Sequence, residues 1–466
     1  MVDIIFRELE FFKGTFSRSR TWLWFCLTTL AFMGNCDPIG GVAGLVRTLG
    51  LEAAAYESML GLFHSSAVNR TSLQMALFSW IRLRFRNLIV RIGDKELLVL
   101  DAKKQAKSGK RMPGVKWHHQ ESSSASKKEY VTAHSFECMG LVVNCLGCVS
   151  CLVFLIRMID GFRVNNRDGL SLKEKVGELI SANATILAGR IVVCDAWYAA
   201  QQVLKPSIQA SVTVITRVGK DAVACFDPVR IPGVRGRPPK YGKTIKLLSL
   251  FDTLEMFTGK VKSCAGEARQ VTYWHIELLW QPIKQKVLFV GTQDENGRRI
   301  ILLCTDLGID PLEVIQGYVY RSSIEHSFWL STQFFSSWTY RFWTKLPLVK
   351  SDLKGNFNLH LCNDHLREVF KGKIRAYEIF LTIGFLSHAV FLFVGMQLES
   401  SSINTNILFF RSKNRVTGAS IPIMRALLVA DYQNIVRSRK SDTEPGKFVI
   451  ERHNNCALNH VPEKAA

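Results

Sequence analysis

The stretch GYVYRSSIEHSFW, positions 317–329, sets a phenol, a guanidinium and a carboxylate at close intervals. Read as a helix, it stacks Tyr318, Arg321 and Glu325 at i, i+3 and i+7, one above another on a single face. A solvated face would scatter charge, and a core face would carry Leu and Val. A polar column of this kind suggests a site, with Glu325 as its carboxylate. Glu325 alone has a plainer reading as an ion pair with Arg321 four residues earlier, worth little on an exposed helix.

Two further carboxylates share a local context. LLVL runs into Asp101 and IVVC runs into Asp195, so each aspartate follows four apolar residues of strand type. Neighbouring strands ending on these acids would hold their oxygens at one edge of a sheet. Paired acids repel, and they are stable together when a cation stands between them. Hard oxygen ligands suit Mg²⁺ or Mn²⁺. A third carboxylate from a helix across that edge, Glu325, would complete a two-ion centre with metals roughly 3.5–4 Å apart. Such a centre activates a water or a 3′-hydroxyl against a phosphodiester and stabilises the leaving oxygen. Arg321 and Tyr318 would then hold phosphate beside it. Taken singly, each aspartate reads more readily as a turn residue or helix N-cap than as a functional group.

The charge agrees with a polyanionic partner. The 466 residues carry 60 Lys and Arg against 39 Asp and Glu, a formal +21, with ordinary globular hydrophobicity of 47%. Nucleic acid is the first candidate, because phosphate contacts supply most non-specific affinity, and the plainer reading is a basic enzyme without such a partner; no small-molecule substrate is expected. Residues 217–246 form a basic, turn-rich stretch around GRPPKYGK with no apolar face to bury. Its Arg217, Lys220, Arg235, Arg237, Lys240 and Lys243 are candidate contacts to the DNA backbone, and Arg-Gly-Arg-Pro-Pro suits a narrow minor groove. Trp274 and Trp280, six apart in one strand, share a face; one of them would stack on a base drawn from the duplex, or both are core. Arg82, Arg84 and Arg86 make a basic edge that reads either as a DNA contact or as a solvated helix face.

The elements needed to position these residues follow from periodicity. Residues 1–92 read as helices, expected to form a DNA-binding region, and 93–210 as strands and helices that include the capping signal Ser171-x-x-Glu174. Residues 211–307 are β-rich. Residues 308–375 return to helix, and 376–466 read as apolar helices with a polar end beyond Asp442. Three apolar segments resemble membrane spans. Residues 21–34 lack a signal cleavage site, 141–156 are too short, and 379–398 are long enough but contain His388. The polar stretches between them favour buried helices and no membrane. Cys145, Cys148 and Cys151 have C-x2-C-x2-C spacing, yet the apolar run around them reads as buried thiols in a reducing cytoplasm.

These residues carry a family resemblance. The chain resembles the DDE transposases of bacterial insertion sequences, in the branch with the signature Y-x2-R-x3-E-x6-K. Tyr318, Arg321 and Glu325 match its first three letters, LLVLDAKKQAKSGKRMPGVKWHHQES resembles its first-Asp region, and IVVCDAWYAAQQVL its second. RGRPPKYGKTIKL and FRSKNRVTGASIPIMRALL are similar as well, so the likeness covers about residues 15 to 430. The resemblance implies an α/β fold: an RNase H-like catalytic domain, a mixed sheet flanked by helices. A β-rich insertion would lie between Asp195 and Glu325, with helical N- and C-terminal regions. It also implies catalytic Asp101, Asp195 and Glu325, about two Mg²⁺ or Mn²⁺ ions, and a homodimer acting in the bacterial cytoplasm on the element's terminal inverted repeats. The signature's lysine falls on Thr332, and Lys345 and Lys350 are the nearest replacements.

Overall fold

The computed structural model describes residues 1–35, 40–107, 115–119, 129–145, 147–159, 170–229, 239–341, 362–398 and 421–458. Helices α1 (Val2–Leu9), α2 (Ser19–Gly34), α3 (Gly41–Thr48), α4 (Ala55–His64) and α5 (Arg70–Arg84) come first. Strands β1 (Arg91–Ile92), β2 (Lys95–Ala106), β3 (Lys116–His119), β4 (Tyr130–Cys145) and β5 (Cys148–Met158) follow. Then come α6 (Leu172–Ala182), α7 (Ala184–Leu187), β6 (Ile191–Cys194), α8 (Gln201–Gln209) and β7 (Thr213–Arg217). Strands β8 (Val223–Cys225), β9 (Thr244–Lys246), β10 (Phe257–Lys262), β11 (Ala268–Trp280), β12 (Gln285–Gln293) and β13 (Arg299–Cys304) complete the β-rich stretch. The chain continues through α9 (Pro311–Tyr320), α10 (Ser322–Gln333), α11 (Asp364–Gln397), α12 (Ile421–Ser438) and α13 (Glu444–Leu458).

Among the described residues the strands form one 13-stranded mixed sheet. At its centre β2, β6 and β7 run parallel, while β4 pairs antiparallel with both β2 and β5. Leu97–Leu100 and Ile191–Cys194 are buried throughout, as strands covered on both faces should be. The β-rich stretch expected from residue 211 opens with β7, which belongs to this central part. Strands β13, β12, β11, β8 and β9 then continue the same sheet outward from β7. Helix α6 starts as its sequence specifies: Ser171 Oγ accepts from Glu174 N–H, and the Glu174 carboxylate accepts from Ser171 N–H.

Three expectations change. The apolar run 141–156, strand-like in sequence only as far as 147, is a hairpin throughout and no helix: β4 and β5 pair from Cys145↔Cys148 outward, and Gly147 takes φ +77° at the turn. Both faces of this hairpin are covered, so its sequence lacks the alternation that would have marked strands. Cys145 and Cys151 are buried within it and Cys148 is exposed. Second, the polar end beyond Asp442 contains α13, which packs on α2 with Trp24 and Phe448 in edge contact at 5.4 Å. Glu444, Lys447 and Glu451 are exposed on it, and Phe448 and Val449 face in. Third, Asp101 does not end its strand. β4 keeps pairing with β2 as far as Ala106↔Ala133, which carries the strand five residues further.

Helix α11 is long and apolar enough to cross a membrane by length and composition, yet 83% of its most apolar window is buried inside the protein. It lies against α2, α4, α5 and β5. His388 is fully enclosed there beside Phe335, and burial lowers its pKa to about 4. A neutral imidazole suits that core position.

Candidate acidic active site

Parallel register brings the aspartates together. The β2–β6 ladder is paired up to Val99↔Val193, and Asp101 and Asp195 each stand two residues beyond that pair. Equal offsets on adjacent parallel strands put both side chains on one face. Strand β6 stops at Cys194, so past that point β2 has an open edge and both acids meet a cleft. Asp101, Asp195 and Glu325 line it with Lys103, and the space wraps past β2 to Lys104 and Glu137 on the strand's other face.

Each acid has fixed partners. Asp195 caps the short turn Ala196–Tyr198, its Oδ1 accepting from Trp197 N–H at 2.8 Å, while its carbonyl accepts from Thr216 Oγ1 at 2.6 Å. The capping role and a place in the site therefore coexist. Asp101 Oδ1 accepts from Ala102 N–H at 2.8 Å, and its Oδ2 accepts from Arg321 Nη1 at 2.9 Å. Arg321 Nη2 donates to Glu325 Oε1 at 2.6 Å. One guanidinium thus bridges two of the three acids. It stands at the junction between α9 and α10, not inside a continuous helix.

The electrostatics follow. Burial pushes the Asp101 pKa up, to about 6; the Arg321 guanidinium opposes the rise, and Asp195 and Glu325 add to it. Arg321 has its own pKa raised, since the acids outweigh the penalty of burying its charge. Burial raises the Tyr318 phenol as well. Glu137, absent from the sequence-derived set, lies on β4 and is only 4% exposed. Burial pushes its pKa up to about 7, with Asp101 and Asp195 contributing in the same sense and a hydrogen bond from Tyr198 opposing.

The donor chemistry fits a divalent cation: several hard carboxylate oxygens share one cleft and repel one another. The arrangement as it stands is held by Arg321 instead, and among the described residues no three His, Cys, Asp or Glu side chains form a group spaced to hold a metal. Accepting an ion would require the guanidinium to withdraw from between Asp101 and Glu325.

No protein-family model matches the chain, and no curated protein matches it. It is similar to a cryo-EM structure of the piggyBac transposase synaptic complex with hairpin DNA, at 12% identity and a TM-score of 0.36, over 96% of this chain and 78% of that one. It is also similar to a crystal structure of the NurA nuclease from Sulfolobus solfataricus, at 10% identity and a TM-score of 0.22, over 59% of this chain and 86% of that one. Both likenesses are distant.

The other anticipated residues scatter. Tyr318 lines a neighbouring cleft with Arg217, Arg269, Arg298 and Arg321. A third cleft, beside the Asp195 turn, is lined by Ala196, Arg217, Lys220, Arg298 and Arg299. Arg217 and Lys220 are thus close to the acids, whereas Lys240 and Lys243 are exposed beside β8 and β9. Arg235, Arg237, Lys345 and Lys350 lie outside the described residues.

The tryptophans do not serve as stacking platforms. Trp274 is fully buried, its ring against Gly291 across the β11–β12 ladder and 5.4 Å from Phe251; Trp280 is 8% exposed and packs 5.6 Å from Phe289. Neither face is open to a base, so both are core. Arg82 and Arg84 are engaged within the chain, with Glu96 at 3.0 Å and Glu8 at 2.7 Å. Thr332 is exposed, and its hydroxyl donates to the Phe328 carbonyl at 2.7 Å.

Arg298, Arg299 and Glu137 were missed by sequence reasoning. The two arginines are an ordinary pair in a polar turn. Glu137 left one signal, a carboxylate inside the apolar run FECMGLVV.

Proposed function

We propose that this chain is a DDE-type DNA transposase of a bacterial insertion sequence, cutting its element at terminal inverted repeats and joining the freed 3′ ends to target DNA. The observation that carries this reading is the pair of aspartates at equivalent positions on adjacent parallel strands, with the Arg321–Glu325 helix start packed across them. A mixed sheet flanked by helices, with its parallel strands bearing the acids, supports an RNase H-like core. On this reading β8–β13 are the insertion between the second aspartate and the glutamate, and the helices of residues 1–92 contribute to end recognition.

Asp101, Asp195 and Glu325 would hold Mg²⁺ or Mn²⁺, as about two ions. When bound, such ions lower the pKa of the attacking water or 3′-hydroxyl and neutralise the leaving oxygen. The chain's own residues do the rest. Arg321, once freed from its acids, offers a planar fork that matches a phosphate. Arg217, Lys220 and Arg298, beside an Arg299 already paired with Asp252 at 3.2 Å, supply a cationic wall beside the Asp195 turn, suited to the backbone of a bound duplex. The active form is a homodimer on paired ends in the cytoplasm.

A second reading, an end-binding copy that no longer cuts, is favoured by Thr332, whose hydroxyl is turned back onto its own helix where the signature has a cation. The test uses purified protein, Mg²⁺ or Mn²⁺, a duplex bearing the inverted repeat that flanks the gene, and a target plasmid. Strand transfer is expected. Cutting without joining would leave a nuclease, binding without cutting would leave the second reading, and neither binding nor cutting would sink both.

A further inference from the structure

We infer that Glu137 is a positioning residue of the acidic cleft, tying the turn that carries Asp195 to the far side of β2 through the hydroxyl of Tyr198. The inference rests on the proposed cation-dependent function. Tyr198 Oη donates to Glu137 Oε2 at 2.6 Å, and both residues are buried, at 1% and 4% exposure. In the ladder Glu137 stands opposite Ala102 while Asp101 stands opposite Cys138, so the glutamate and Asp101 project to opposite faces of the sheet. Strand β2 lies between β4 and β6. The Tyr198–Glu137 bond therefore spans β2 on its second face, where Ala102 offers only a methyl group.

The turn it fastens is short. Asp195 caps it through Trp197 N–H, and Tyr198 N–H donates back to the Asp195 carbonyl at 3.2 Å. The capping bond joins Asp195 to its own turn, so it does not fix that turn relative to Asp101. Thr216 anchors the Asp195 carbonyl to β7 on one side. Glu137 supplies the corresponding anchor to β4 on the other, across the strand that bears Asp101. With both in place, the spacing of the two aspartates is set from both flanks.

The test is cation uptake, read by Mn²⁺ electron paramagnetic resonance on the full chain without DNA, beside melting temperature and end-duplex binding. Tyr198→Phe and Glu137→Ala are each expected to raise the Mn²⁺ concentration for half-occupancy about tenfold, as loss of an outer partner does at metal sites. The double variant should be no weaker than either single one, because both remove the same bond. Glu137→Gln, whose amide oxygen still accepts from Tyr198, should stay near wild type. All are measured where the variants remain folded, and end binding should not change. Single variants whose Mn²⁺ curves overlay wild type would overturn the inference alone, as would a Glu137→Gln variant as weak as Glu137→Ala. A wild type that binds end duplex but takes up no Mn²⁺ would overturn the cation-dependent reading together with it.

Discussion

Strands β2 and β6 carry the same short pattern, four apolar residues and then an aspartate, and use it in two ways. In β6 the aspartate ends the strand and caps the turn that follows. In β2 it sits in the middle, because β4 continues to supply hydrogen-bond partners beyond it. Only the inequality of their lengths makes a site. Had both strands stopped together, the acids would sit at a solvated sheet edge. Had both continued, they would be covered by the next strand. The cleft exists where one neighbour ends and the other does not.

The comparison predicts that the two acids are alike in chemistry and unlike in structure. Asp195→Asn and Asp101→Asn should each remove several kcal/mol of transition-state stabilisation, roughly a thousandfold in cleavage rate, while end-duplex binding persists. Retained cleavage by either variant would take that residue out of the site.

Removing Arg321 sharpens the contrast, since it bridges Asp101 and Glu325. Arg321→Ala leaves a largely buried carboxylate without its partner and should cost about 3 kcal/mol in urea unfolding. The wild-type Asp101 pKa is raised to about 6, and loss of the cation raises it further. Protonation then relieves the repulsion, so the deficit should be large near pH 8 and shrink as the pH falls toward 5. A deficit that does not vary with pH would mean Arg321 acts by packing alone.

Glu137 makes the opposite prediction. Its folded pKa of about 7 exceeds the usual glutamate value of 4.5, so the folded state binds a proton more tightly than the unfolded chain. Its contribution to stability is therefore fully present below pH 4.5 and lost as the pH rises through about 7. Glu137→Gln, which cannot ionise, should gain about 2 kcal/mol over wild type at pH 8 and nothing at pH 4. The smallest effect lies away from the cleft. Ser171→Ala removes one half of the α6 capping box and should cost about 1 kcal/mol with no change in cleavage.

The local features were legible in the sequence. Capping at Ser171 and the buried runs LLVL and IVVC depend on neighbours within a few positions, and the structure has each of them; the column keeps its Arg321–Glu325 pair but breaks at Arg321, which leaves Tyr318 on a neighbouring cleft. What escaped depends on distant partners. Nothing near Asp101 announces that β4 will carry its strand onward. The first strand of the 141–156 hairpin is legible in its run, while the second hides because both of its faces are covered. Glu137 was overlooked because its partner Tyr198 is 61 residues away and reaches it past an intervening strand. Trp274 and Trp280 were ambiguous for the same reason, since only the pairing of Trp274 with Gly291 shows that its ring is enclosed.

The unbroken sheet has a mechanical consequence. Strands β6, β7 and β13 are consecutive neighbours, and Leu302 of β13 pairs with Arg217, so the Asp195 turn and Arg299, which opens β13, are separated by two ladder steps across and three residues along, about 14 Å. No hinge intervenes along that path. The interval between the acids and the cationic wall is thus a fixed gauge, and any polymer laid across it must supply the bending itself.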